Sequence, residues 1–481
     1  MKKIILLIIA VIVASCSDNI EDMNLNTKDP SKVPGESLFT GAQKNLVDLV
    51  VDLNVNINNT KLWSQYLQET TYTDESNYDQ TTRPIPDRHW SILYKDVLKD
   101  LNESGKIIAA TDYPTAEEDA LKPNKAAIIE ILNVYAYSLL VETFGDVPYT
   151  ESLDIENLLP KYDDGLTVYK DLIARLTVAL NNLDTSNGSF GSADRIYNGD
   201  VILWKKFASS LKLRMGILLS DVDNAAAKQA VEAAVASGVF TSNADNAGFT
   251  YLSADPNTNP IYANLVLSGR QDFVAAETII DMMTLLGDYR LPTYFMPISD
   301  GTYKGGAIGS TANYATHSHV ASILETPTFP GYLLDYAEVE FLLAEAAART
   351  FNVGGTAKEH YDLGIKASFN FWGASNYSDY IVQANVDYDT LIAASTATTP
   401  WKEVIGNQKW LALYNRGLEA WTSIRLLDYP IMATPAEAVS GFPNRYTYPI
   451  VEQTLNAANW STASTAIGGD QPETKLFWDK N

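Results

Sequence analysis

The sequence predicts a mostly α-helical fold, with tetratricopeptide-like helix pairs forming a scaffold and a loop-rich insert carrying short strands. Three observations predict it. Apolar residues recur at three- and four-residue spacing in one segment after another. Short polar or glycine-bearing turns separate neighbouring segments. In residues 246–321 that periodicity lapses among Gly, Asn, Ser, Thr and Pro, which predicts loops with short strands and helical character only around Phe273–Leu286. Hydrophobic residues are 46% of the 481, enough for a substantial core, and no low-complexity tract suggests long disorder, so residues 34–481 are expected to form one domain.

The helices follow in order. Glu36 to Leu53 places Leu38, Ala42, Leu46 and Leu49 on one face, and Trp90 to Ala109 keeps Leu93, Val97, Leu101 and Ile108 in register. Pro123 to Phe144 presents Ala127, Ile131, Tyr135 and Leu139 and stops at Gly145-Asp146 with Pro148 beyond. Leu166–Leu183 is expected to pair with Asp200–Leu219 across the Asn-, Ser- and Gly-rich stretch Asp184–Gly191. Tyr332–Arg349 is expected to pair with Ala357–Trp372 across the tight turn Asn352–Gly355, with Ala357, Tyr361, Ile365 and Phe369 at four-residue spacing. Trp410, Tyr414, Trp421 and Arg425 lie four or seven apart in succession and read as one helical face, a core-packing face in which the arginine stacks on rings or caps buried carbonyls.

The N-terminus has its own chemistry. Lys2 and Lys3 precede the apolar run Ile4–Val13, which is far short of the roughly 18–20 residues that span a bilayer and reads as a signal peptide over residues 1–15. Val13-Ala14-Ser15-Cys16 resembles a bacterial lipobox, so Cys16, the only cysteine, is the expected lipidation site. Residues 16–33 then form a tether whose acidic start, Asp18 to Asp22, resembles the export signal of surface-exposed Bacteroidetes lipoproteins. Acyl chains anchor at roughly 0.8 kcal/mol per buried methylene, so the chain is held to the membrane without a spanning helix.

The formal charge of −24 would repel a phosphate backbone and excludes nucleic acid as the expected partner. Tyr at 27 and Trp at 9 suit a sugar ligand, whose C–H faces lie on aromatic rings while its hydroxyls find polar neighbours. No metal-protease, nucleotide-loop or nucleophile-elbow motif occurs. His317-x-His319 lacks a third ligand of matching spacing, so no metal is expected and no cofactor is needed. Acidic pairs such as Asp74-Glu75 and Asp163-Asp164 keep a helical glycoside hydrolase open as a rival, read here as solvated surface. A protein-only adaptor is the second rival.

Several motifs together carry a family resemblance. They are Asn26–Gln43 (NTKDPSKVPGESLFTGAQ), Trp90–Leu98 (WSILYKDVL), Tyr137–Tyr149 (YSLLVETFGDVPY), Asp335–Arg349 (DYAEVEFLLAEAAAR), Trp410–Arg425 (WLALYNRGLEAWTSIR), Asn444–Asn456 (NRYTYPIVEQTLN) and the tail Thr474–Lys480. In this order behind a lipobox, the chain resembles the SusD/RagB family of nutrient-binding outer-membrane lipoproteins. The resemblance implies four tetratricopeptide-like helix pairs sitting as a lid on a SusC-like, TonB-dependent barrel, a glycan or peptide ligand, and no catalysis. Tyr448-Pro449 and Glu452 read as a segment that docks and closes the scaffold. The family's ligand surface lies in loops from two parts of the chain, one between the first helix and Trp90, the other in the insert. Trp63 and Tyr66 fall in a helical run and are expected in the core. Tyr72, Asn77, Tyr78, Arg83, Tyr303 and Tyr314 are then the expected ligand residues, the rings as stacking platforms, Asn77 and Arg83 as partners for hydroxyls.

Overall fold

The structure is a computed structural model describing residues 33–480. The signal segment, Cys16 and nearly all of the tether lie outside the described residues. Among the described residues, four helix pairs make the scaffold. α1 (Gly35–Val51) packs on a rod built of α2 (Ile85–Ser91), a π-helical stretch Ile92–Leu98, and α3 (Lys99–Ala110). α4 (Lys122–Phe144) pairs with α5 (Gly165–Asn182), α6 (Val201–Leu218) with α7 (Asn224–Ser237), and α8 (Tyr336–Ala348) with α9 (Ala357–Trp372). A further hairpin, α10 (Pro400–Ala412) and α11 (Gly417–Leu427), closes onto α8.

Local chemistry starts these helices where the sequence places them. Asp164, Asp200, Asp223 and Asp335 each accept a backbone N–H from the first turn of α5, α6, α7 and α8, and Thr356 with Glu359 forms a capping box on α9. Each such cap contributes about 1 kcal/mol. α4 is the central helix. It is apolar enough by composition to cross a membrane, yet 89% of its most apolar window is buried within the fold.

Two expectations need correction. The partner of α5 is α4, and α6 pairs with α7 instead. The alanine-rich α7 buries Ala227, Ala230, Val231 and Ala234. Gly216 on α6 lets it approach so closely that a Cβ there would lie 2.8 Å from a Val231 methyl. Secondly, the segment Trp410–Arg425 is two helices, broken where Asn415 takes φ +69. Trp410 therefore packs in a core beneath the insert, and Trp421 in the main core.

The packing role of these residues holds. The Arg425 guanidinium lies 3.5 Å from the Trp421 ring centroid and 4.6 Å from that of Trp478. It donates to the carbonyls of Glu142 at 3.0 Å and Asn444 at 2.9 Å. Trp63 and Tyr66 are buried, as expected. The C-terminal segment docks as read, with Tyr448 donating to Asp146 O at 2.8 Å and Glu452 accepting from Tyr162 at 2.8 Å.

The insert is loop-rich with short strands. β1 (Leu67–Glu69) lies before it, β2 (Gly248–Phe249) and β3 (Phe273–Ala275) within it, and β4 (Gly331–Tyr332) after it. β1 pairs antiparallel with β3, Leu67 opposite Ala275, and β2 pairs antiparallel with β4, Gly248 opposite Tyr332. Both pairings stitch the insert to the helical scaffold. Of the stretch expected to be helical, Phe273–Ala275 is strand and only Glu277–Leu286 is helix.

Candidate ligand-binding site

Three loops meet beside β1: residues 70–83, residues 302–321 of the insert, and residues 429–442 after α11. Their joints are side-chain amides. Gln68 donates to Ser310 O at 2.9 Å and accepts from Gly309 N at 3.0 Å, while Thr70 O accepts from Ala312 N at 3.1 Å. Gln65 donates to Ala433 O at 2.6 Å and accepts from Ala433 N at 3.1 Å. Since Gln68 meets residue 310 and Thr70 meets residue 312, the first two loops run in the same direction. Tyr72 and Tyr314 each lie two residues beyond the Thr70–Ala312 contact.

The rings differ in availability. Tyr72 is 69% exposed, on a backbone at φ +57. Tyr314 is half-buried and stacks on His319 with ring centroids 4.6 Å apart and planes within 8°. Tyr303 is also half-buried, packed against the core beneath the insert. Burial raises the phenols of Tyr303 and Tyr314 above their ordinary value, so both stay neutral hydrogen-bonding groups near neutrality.

The other three residues serve this platform from inside. Asn77 is buried, and its amide donates to Thr73 O and Gly309 O, each at 2.8 Å, and accepts from Glu437 N at 2.8 Å. Gly309 sits at φ +75, where a Cβ would fall 2.3 Å from the Asn77 Oδ1. Arg83 pairs with the buried carboxylate of Glu75, which holds the guanidinium above its ordinary value. The Asn77 amide is thus occupied in bracing the loops, whereas Arg83 engages Glu75 through one guanidinium nitrogen and stays partly exposed. Tyr78 is buried against Phe442, edge to face at 5.9 Å, and burial pushes its phenol up to about 12. It reaches a cleft of about 310 Å³ together with Ile431, Met432, Ser440 and Phe442.

Beneath Tyr72 the chain closes on an acidic pair. Glu69 and Glu75 are both buried, and Glu69 accepts from Ser76 N at 3.0 Å and Ser76 Oγ at 2.8 Å. Burial first, and the neighbouring Glu75 second, push the Glu69 carboxyl up to about 9. A carboxyl raised above its unfolded value stabilises the fold fully below that unfolded value, and the contribution is lost as pH rises through the folded one. The thermal midpoint of the wild-type protein is therefore expected to fall between about pH 4.5 and 9 more steeply than that of Glu69→Gln, by circular dichroism melts across that range. Parallel pH profiles would refute the assignment.

The acidic pairs considered for catalysis have structural uses. Glu75 is paired as above, Asp163 accepts from Thr150 N at 2.7 Å, and Asp164 caps α5. His317 hydrogen-bonds Asn313 O at 2.8 Å. Among the described residues no group of three or more His, Cys, Asp or Glu could hold a metal ion.

Sequence reasoning missed the loop 429–442 and the amides of Gln65 and Gln68. The dense Pro430, Pro435, Gly441 and Pro443 marked the loop as irregular, whereas nothing local marks a glutamine as a joint.

Comparison with known proteins gives this architecture relatives. A family profile described as SusD-like, starch-binding and associating with the outer membrane, matches residues 27–449. No curated protein matches the chain. A SusD homologue from Bacteroides uniformis superposes with a TM-score of 0.80 at 26% identity, covering 92% of this chain and 99% of that one. A chitin-binding SusD homologue from Flavobacterium johnsoniae gives 0.77 at 26% identity, covering 92% and 99%. A structure named as a chitin-binding protein gives 0.78 at 26% identity, covering 93% and 100%. With more than four-fifths of its length under one family profile and the same helical architecture throughout, this chain belongs to the SusD-like family.

Proposed function

We propose that this protein is a lipid-anchored binding protein of the outer-membrane surface that captures a glycan and passes it to a SusC-like, TonB-dependent transporter, without bond chemistry of its own. The observation that carries the reading is the exposed Tyr72 and the stacked Tyr314–His319 pair on loops braced from within. Rings held rigidly at a surface offer apolar faces to sugar C–H groups at little ordering cost. The family's starch-binding description and two chitin-binding relatives at 26% identity support a glycan over a peptide. Each platform is expected to contribute on the order of 1 kcal/mol, so Tyr72→Ala and Tyr314→Ala should each weaken binding several-fold. Calorimetry with maltohexaose and chitohexaose checks this. Unchanged affinity in both folded variants, for a sugar the wild type binds, would put the site elsewhere.

A patch of aliphatic side chains supports a protein partner. Ile155 is 81% exposed and Leu158 80%, and Leu159 follows them. Asn459 donates to Leu159 O at 3.0 Å and Asn456 to Pro160 O at 2.9 Å, which fastens this loop to the segment bearing exposed Ile450, Val451 and Leu455. Exposed apolar surface gathered in this way marks interaction sites. The protein is expected to co-purify with an outer-membrane barrel after mild detergent extraction, and Leu158→Glu with Leu455→Glu to reduce that recovery. A lone wild-type monomer from cells containing the transporter would count against the partner.

A further inference from the structure

A second polar cleft lies in the helical scaffold and shares no lining residue with the loops around Tyr72. It has a volume of about 580 Å³ and is lined by Asn102 of α3, Glu130, Asn133 and Tyr137 of α4, Arg175 of α5, and Tyr149, Ser152, Leu153 and Asp154 of the loop between α4 and α5. Pockets of roughly 300–1,000 Å³ suit small ligands.

Its back wall is already ordered. Glu130 takes a two-pronged contact from Arg175, at 2.6 and 3.0 Å. Arg175 also donates to the Tyr149 hydroxyl at 2.6 Å, and that hydroxyl donates in turn to Asp171. The rings of Tyr137 and Tyr149 meet edge to face at 5.0 Å, and the Tyr137 hydroxyl shares a 2.7 Å hydrogen bond with Ser152. Arg175 and Glu130 pair with each other, while among the described residues the Asp154 carboxylate at the rim accepts only from Glu156 N, at 3.0 Å.

Two groups remain unused. The half-buried amides of Asn102 and Asn133 make no side-chain hydrogen bond with any described residue. An amide presents a donor and an acceptor side by side, the pattern that adjacent hydroxyls on a pyranose satisfy with one accepting and one donating. At the lip, Leu153 holds φ +61, a conformation that a bulky side chain rarely adopts and that tends to persist where surrounding structure over-determines it. We propose that this cleft is a second saccharide site, taking one or two neutral sugar units through the Asn102 and Asn133 amides against the Tyr137–Tyr149 wall.

The assignment is independent of the loop site, and the test keeps the two apart. In protein carrying Tyr72→Ala and Tyr314→Ala, the side-chain amide signals of Asn102 and Asn133 are followed by NMR during titration with maltotriose and, separately, chitotriose. Saturable shifts of both amides with at least one sugar are expected. Adding Asn133→Ala should reduce that affinity at least several-fold while the circular dichroism spectrum is unchanged. Amide signals that stay still at tens of millimolar of both sugars would overturn the proposal, whatever the loop variants show. So would shifts whose affinity is the same with and without Asn133→Ala.

Discussion

Asn77→Ala is expected to release all three loops of the candidate site at once. The substitution leaves the buried carbonyl of Gly309 without its donor and removes two partly buried contacts, to Glu437 N and to Thr73 O, the latter still bonded by the Asn77 backbone N–H. An unsatisfied buried group costs about 1–3 kcal/mol, so with one such group left at Gly309 a loss of roughly 1–3 kcal/mol in stability is expected. Urea unfolding measures that loss. Hydrogen exchange should locate it, with faster exchange around residues 305–312 and 433–439, and oligosaccharide affinity should fall as the platform loosens. Asn77→Asp separates the bonds, because it keeps an acceptor for Glu437 N and removes the donor to Gly309 O. An Asn77→Ala protein with wild-type unfolding and exchange would show that the loops stand without the brace.

Cys16→Ala is expected to abolish fatty acylation and release the protein from membranes. The residue follows a lipobox-like Val13-Ala14-Ser15 and is the only thiol in the chain. No other residue could take over thioether attachment, so the effect should be complete. Acyl chains bury methylenes at roughly 0.8 kcal/mol each, and the remaining acidic surface offers little attraction to an anionic membrane. Metabolic labelling with a fatty-acid probe, followed by membrane fractionation, reads both outcomes. Undiminished labelling of the alanine variant would overturn the assignment of Cys16.

Much of the scaffold was legible because helix formation here is decided within a few residues. The extents of α6 and α9 lie close to the sequence reading, with Asp200 and Thr356 capping their first turns, and the buried face of α9 followed from four-residue spacing. Pairing was harder to read. α7 looks unremarkable as a segment, being alanines with few large side chains, and its role becomes visible only when Gly216 brings α6 against it. The break inside Trp410–Arg425 was invisible for a related reason, since an unbroken apolar periodicity continues through Asn415 although its backbone turns left-handed there.

The site divides in the same way. Sequence by itself determined the class of residue present, tyrosines and amides in irregular segments before Trp90 and inside the insert, together with the helical frame and the lipobox-like start. Tertiary structure decided which of them face outward. Tyr72 and Tyr78 are six positions apart in one loop, yet the first is 69% exposed and the second 4%. Asn77 could have met solvent, but its partners are Gly309 and Glu437, 232 and 360 residues away. Exposure and hydrogen-bond satisfaction depend on what the rest of the chain brings alongside, whereas periodicity and capping depend only on neighbours.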